Sequence, residues 1–262
     1  QLLYINLSLN VGSDLETYED KSVEIAHFLE HIFATFTSKK YPSALKNNAL
    51  FAKMGVYVNA SVIEKRSNYI LKVPKEHFSD VLDIIIHAIK DFVVDPEIFK
   101  QEKHAIKEEL NKILNDTWIN LEENVNQILY PKSPRSFGEK SRIKEVKKAS
   151  PNNLINFFKK YYRTNNMSFG IYGSLTNELS NEIKQKLGGI KESCGINYSK
   201  YLYNNPNLKT NKVVFTKCPN AESFNLNLIF RVPHLYFSLE GDIAEGILNI
   251  LTLDLESILT KR

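Results

Sequence analysis

The chain has 262 residues, 43% of them hydrophobic and 24% charged, the proportions of an ordinary soluble globular protein with length for one large or two modest domains. A net charge of +4, with Lys and Glu interspersed, leaves no basic block to grip nucleic acid, and the densest apolar stretch, 81–94, is broken by Asp83, His87, Lys90 and Asp91 before it could form a membrane span. Cys194 and Cys218, the only cysteines, exclude a disulfide scaffold and a cysteine-based zinc site, although one bridge stays open.

The first residues, Gln1-Leu2-Leu3, are neither an initiator Met nor a signal peptide, and the chain reads as excised from a longer or processed one. Leu3, Ile5, Leu7 and Leu9 alternate with Tyr4, Asn6 and Ser8, which predicts a half-buried strand over 3–9, ended by Gly12-Ser13. An acidic loop over 14–20 leads into a helical pattern over 21–36. At about 100° per residue, Ile25, Phe28, Leu29, Ile32, Phe33 and Phe36 gather on one side of that helix and His27, Glu30 and His31 nearly opposite. Residues four apart are neighbours on a helix, so both imidazoles can reach one metal ion while Glu30 points into the same space. His27-Phe28-Leu29-Glu30-His31 is the H-x-x-E-H arrangement, the inverted form of H-E-x-x-H. A polar helix face is ordinarily just a solvated one, so the pentapeptide needs support from elsewhere in the chain.

A short helix is expected over 44–54, closed by Gly55, then a hairpin of strands 56–62 and 68–73 across Glu64-Lys65-Arg66. Val56, Val58, Ala60 and Val62 share one face of the first strand; Tyr57, Asn59 and Ser61 share the other. An amphipathic helix follows over 78–93, with His87 on its solvent side. Asp95-Pro96-Glu97 starts the next, which runs to about Asn115 and is expected to bury Phe99, Ile106, Leu110 and Ile113. On its wheel Glu102 and Glu109, seven apart, fall inside the apolar stripe, whereas Glu108 and His104 point away. Buried carboxylates are costly unless paired or bound to a metal, so Glu102 and Glu109 call for a cation or donors nearby.

Further helices are expected over 118–129, 152–162 and 177–187, with a loop at 131–138 and a strand at 167–172. The reading divides the chain into an α+β domain over 1–195, a linker over 196–211 and a truncated second domain over 212–262. The first would be an antiparallel-rich mixed sheet packed against helices. In the second, strands at 213–216 and 224–232 and a helix at 242–259 repeat the opening strand-then-helix pattern without the motif, as a diverged duplication would.

Ala26-His27-Phe28-Leu29-Glu30-His31, Gly55 followed by Asn59-Ala60, and Glu102 with Glu109 on one helix together resemble the insulinase/pitrilysin family of zinc metallopeptidases, which includes mitochondrial processing peptidase and falcilysin-like enzymes. The resemblance covers roughly 3–175 as one active domain, and the remainder is similar to the start of the family's second, metal-free domain. It implies one Zn²⁺ held by His27, His31 and Glu109, with Glu30 as general base and Glu102 orienting a ligand ring. It further implies Asn59 and Ala60 on an edge strand that pairs with an extended peptide or unfolded-polypeptide substrate. The departures are an absent strand before the chain's start and a loop, Ser136-Phe137-Gly138, that only loosely resembles the family's. The distal Arg and Tyr that complete the family's site also have no place here. The resemblance therefore implies a zinc endopeptidase, or else a non-catalytic zinc- and peptide-binding half that needs the C-terminal half of its own chain or a partner subunit.

Overall fold

The computed structural model describes residues 1–190 apart from 18, 115 and 132. The expected linker at 196–211, the second domain at 212–262 and its duplicated pattern, and both cysteines lie outside the described residues. The opening alternation forms β1 (Leu2–Leu9), with Leu3, Ile5, Leu7 and Leu9 fully buried and Leu2 and Tyr4 exposed. β2 (Tyr57–Val62) and β3 (Ser67–Pro74) form the expected hairpin, and β4 is Met167–Tyr172. The spatial order is β2-β3-β1-β4, with every pair antiparallel. β1 is thus an interior strand, paired with β3 from Leu2↔Pro74 to Leu9↔Ser67 and with β4 from Tyr4↔Tyr172 to Leu9↔Met167. Among the described residues β2 keeps one edge unpaired. The architecture is the α+β arrangement expected, and the sheet is antiparallel throughout among the described strands.

One face of the sheet carries the core. Against it lie α1 (Ile25–Phe33), α3 (Phe78–Asp91) and α7 (Pro151–Tyr161), which contribute Phe28, Leu29, Ile32, Phe33, Val81, Leu82, Ile85, Leu154 and Phe157. Phe33 is the hub of an aromatic cluster: the rings of Phe36, Tyr69, Phe92, Phe158 and Tyr162 lie 5.0 to 5.6 Å from its centroid. Tyr69 and Tyr162, both buried, join hydroxyls at 2.8 Å, which satisfies two polar groups that burial would otherwise penalise.

α2 (Ala44–Lys53) is capped by Ser43 and closed by Gly55, whose φ of 67° is in the left-handed region that glycine tolerates. α4 (Pro96–Ile113) starts at Asp95, whose two carboxylate oxygens accept from the N–H of Glu97 and of Ala44, each at 2.9 Å. That single acid caps α4 and ties it to the start of α2. α5 (Thr117–Leu129) is capped by Asp116, and α8 (Asn177–Gly188) by Thr176. A helix that the sequence reading passes over, α6 (Glu139–Lys148), packs against α4. Its ten residues include just Ile143 and Val146 as apolar contacts, too little periodicity to announce a helix.

Candidate metal centre

The motif helix is shorter than the pattern over 21–36 implies. Glu24 sits at φ 67° and Phe36 at φ 48°, left-handed conformations that cannot be extended into an α-helix on either side. The first-turn N–H groups are met from a distance: Glu16 accepts from the N–H of Glu24 and of Ala26, both at 2.9 Å. A carboxylate there also suits the positive end of the helix dipole. With its apolar side fixed against the sheet, α1 turns His27, Glu30 and His31 away from the core, each partly exposed.

The two rings meet edge to face, with His27 Nε2 and His31 Nε2 3.2 Å apart. Ligating atoms of His27, Glu30 and His31 all lie within 4.8 Å of one another. From α4, Glu109 brings Oε2 to 3.6 Å from His27 Nε2 and 3.9 Å from His31 Nε2. Glu102, two turns earlier, lies 2.8 Å from His31 Nδ1. Glu109 is not buried as the apolar stripe implied; its side chain is 48% exposed, and that of Glu102 24%. α4 packs against α1 and α6, with Phe99 stacked on Phe28 at 4.9 Å, and Glu109 stands beside the two imidazoles where solvent reaches it. Among the apolar residues expected to be buried on α4, Ile106 and Leu110 are, while Phe99 and Ile113 are only partly covered.

The outer nitrogen of each ring has a carboxylate partner, since Glu24 Oε1 lies 2.7 Å from His27 Nδ1. Glu24 is itself buried, and its other oxygen accepts from the Arg142 guanidinium of α6 at 2.5 Å. Arg142 also reaches Glu16 at 3.5 Å and donates Nε–H to the Phe137 carbonyl at 3.1 Å. None of Glu16, Glu24 and Arg142 stands out in the sequence as part of the site. Glu24 had a signal, three positions before His27 on the same side of the wheel. Arg142 had none.

Burial disfavours charge on Glu24, but His27 and then Arg142 outweigh it and hold the carboxyl below its ordinary range. Glu16, equally buried, is pushed up by burial to about 7 against the pull of Arg142. Burial lowers the His27 imidazole, yet Glu24, with Glu30 and Glu109 behind it, turns the net shift upward. Burial raises Glu30, the two imidazoles pull it down, and Glu109 adds to the rise that prevails.

A carboxylate facing Nδ1 favours the Nδ1–H tautomer of a neutral imidazole, which would leave Nε2 of each ring to present a lone pair. With both rings in that form, two lone pairs would face each other at 3.2 Å with the Glu109 oxygen 3.6 Å from one of them, a set that calls for a cation. It fits a small divalent cation, and two imidazoles with carboxylate oxygen are ligands that zinc accepts.

A family sequence profile described as insulinase (peptidase family M16) matches residues 3–136, and one described as the peptidase M16 inactive domain matches 148–251. The chain belongs to the insulinase family. The second match begins within what the sequence reading assigns to the first domain. Among curated relatives, the mitochondrial-processing peptidase subunit beta of Dictyostelium discoideum is 22% identical over 190 residues, 72% of this chain and 40% of that protein. An uncharacterized zinc protease of Bacillus subtilis, YmxG, is 34% identical over 106 residues, 40% of this chain and 25% of that protein. The chain thus spans well under half the length of these relatives. Solved structures share the insulinase-family fold: a protease from Helicobacter pylori has a TM-score of 0.62 at 18% identity, over 75% of this chain and 47% of that one. Pitrilysin has a TM-score of 0.61 at 23% identity, over 73% and 21%. Among the described residues no helix is long and apolar enough to cross a membrane.

Proposed function

We propose that this chain is a zinc-dependent endopeptidase of the insulinase family, with His27, His31 and Glu109 as ligands and Glu30 as the general base. The observation that carries the reading is the convergence of His27 and His31 Nε2, each ring held by a carboxylate behind it, with Glu30 and Glu109 facing the same space. Bound there, Zn²⁺ would polarise a peptide carbonyl and make water acidic enough to be activated near neutral pH. Glu30 takes that water's proton onto its carboxylate as the oxygen attacks, then hands it to the leaving amine. Glu102 holds the proton on His31 Nδ1 and so keeps Nε2 available.

The substrate in this reading is an extended segment of a peptide or unfolded polypeptide added to the unpaired edge of β2. Main-chain hydrogen bonds from the stretch around Asn59 and Ala60 would align it. The packing of α1 against this strand supports that reading. The second reading, a binding half that needs a C-terminal half or partner subunit to cleave, is favoured by relatives that are named as subunits and by the chain's share of their length. The same two experiments serve both. In the complete enzyme, Glu30→Gln is expected to retain Zn²⁺ while losing peptide cleavage by about 10²-fold or more; cleavage at the wild-type rate contradicts the assignment. Assaying this chain with and without the C-terminal half then separates the readings, and full activity from this chain alone excludes the second.

A further inference from the structure

Glu24 stands where glutamate is a poor local choice. Its φ of 67° and ψ of 7° are left-handed, a conformation glycine or asparagine takes more easily. Its side chain makes no cap hydrogen bond to α1, because Glu16 supplies that contact. Nothing in the helix start therefore accounts for a carboxylate here. Its partners do: one oxygen is 2.7 Å from His27 Nδ1, and the other is fixed by Arg142 at 2.5 Å, all at a residue only 3% exposed.

We infer that Glu24 is a positioning residue: it holds His27 in the Nδ1–H tautomer and aims its Nε2 at the space shared with His31, Glu109 and the cation. The role of the cation rests on the peptidase reading; the orientation of His27 does not. The geometry matches on both rings. His31 receives the same support from Glu102, 71 positions away on α4, at 2.8 Å. Without Glu24, His27 would be free to exchange tautomers and to turn, so that part of the population would present an N–H where a ligand lone pair is required. Arg142 stops the carboxylate from swinging away, and its contact with Glu16 joins the support of His27 to the start of α1 itself.

The test uses two variants in the full chain. Glu24→Gly relieves the left-handed backbone while removing the carboxylate; Glu24→Gln keeps the size and one acceptor oxygen. Calorimetric titration of Zn²⁺ into chelator-stripped protein is expected to show binding about 10- to 100-fold weaker for Glu24→Gly and a smaller loss for Glu24→Gln. Circular dichroism confirms that each variant is folded. In the metal-free chain at pH 9, two-bond ¹H–¹⁵N correlations should report the Nδ1–H tautomer of His27 in the wild type and a shift toward Nε2–H in Glu24→Gly. A purely structural residue would not move that signal. Wild-type Zn²⁺ affinity in both variants, or an unchanged His27 tautomer in Glu24→Gly, overturns the inference and leaves the peptidase reading standing. A wild-type chain that binds no Zn²⁺ overturns the peptidase reading instead, and the tautomer of the metal-free chain then decides the role of Glu24.

Discussion

Glu139 opens α6 one turn before Arg142, and its Oε2 is buried without a hydrogen-bond partner among the described residues. Burial pushes this carboxyl up to about 7; Arg142 pulls it down, and Glu24 and Glu123 add to the rise. A carboxyl whose folded pKa exceeds its unfolded value binds more protons in the folded state. Its stabilising contribution is therefore present below the ordinary glutamate range and is lost as pH climbs through about 7. Glu139→Gln removes that loss, so the melting temperature of the variant minus that of the wild type should be larger at pH 8.5 than at pH 5; an equal difference at both contradicts the argument. At this scale much of the side-chain cluster was legible in the sequence. The helix wheel brought His27, Glu30 and His31 together and selected Glu102 and Glu109 over Glu108, because which side of a helix a residue occupies follows from spacing alone. It erred on the depth of Glu109, since a wheel gives direction but not what lies beyond the neighbouring helix. It had no means of reaching Arg142, which meets Glu24 118 positions away.

Elements with strong periodicity or strong punctuation were legible. β1, the β2–β3 hairpin, α3 and the Asp95-Pro96 start of α4 all follow from alternation, amphipathicity or capping. α6 was not, because a run as charged as Glu139–Lys148 is made helical by its packing against α4 rather than by a stripe of its own. The link between elements that tolerates least change is Gly12. After β1 the chain turns onto the hairpin: Ser13 N–H donates to the Ile63 carbonyl at 3.3 Å and Asp14 N–H to that of Glu64 at 2.8 Å. A Cβ on residue 12 would lie 1.9 Å from the Ile63 oxygen and 2.7 Å from that of Glu64, both main-chain atoms that cannot rotate aside. Gly12→Ala is expected to cost more than about 3 kcal/mol, read as a lowered denaturant midpoint; a change within about 0.5 kcal/mol would contradict the close approach. The damage should spread to the site, because the 3-10 turn that follows, Ser13–Leu15, leads directly to Glu16 and so to the start of α1.

For the molecule as a whole, the proposed ligands come from two helices far apart in sequence, so an ion bound there should act as a staple between α1 and α4. A ligand that binds only the folded state at a hundred times its Kd adds about 2.7 kcal/mol. Zn²⁺ should therefore raise the melting temperature of the chelator-stripped chain, and His31→Ala should abolish the increase; an identical melting temperature with and without Zn²⁺ speaks against the centre. The α+β class was legible because antiparallel alternation and amphipathic helices are local signals. The strand order was not, since nothing local in β1 says that its partners are residues 67–74 and 167–172. That pairing also carries a timetable. A ribosome delivers β1 first and β4 more than 150 positions later, at about 5 to 20 residues per second. For several seconds the growing chain holds a four-leucine-and-isoleucine strand with an open edge, the kind that invites pairing with another chain. The four side chains that face one another there, His27, Glu30, His31 and Glu109, have all emerged by residue 109. The nascent chain thus holds all four of these side chains well before it can close the sheet beneath them, and the interval is set by where β4 falls in the gene.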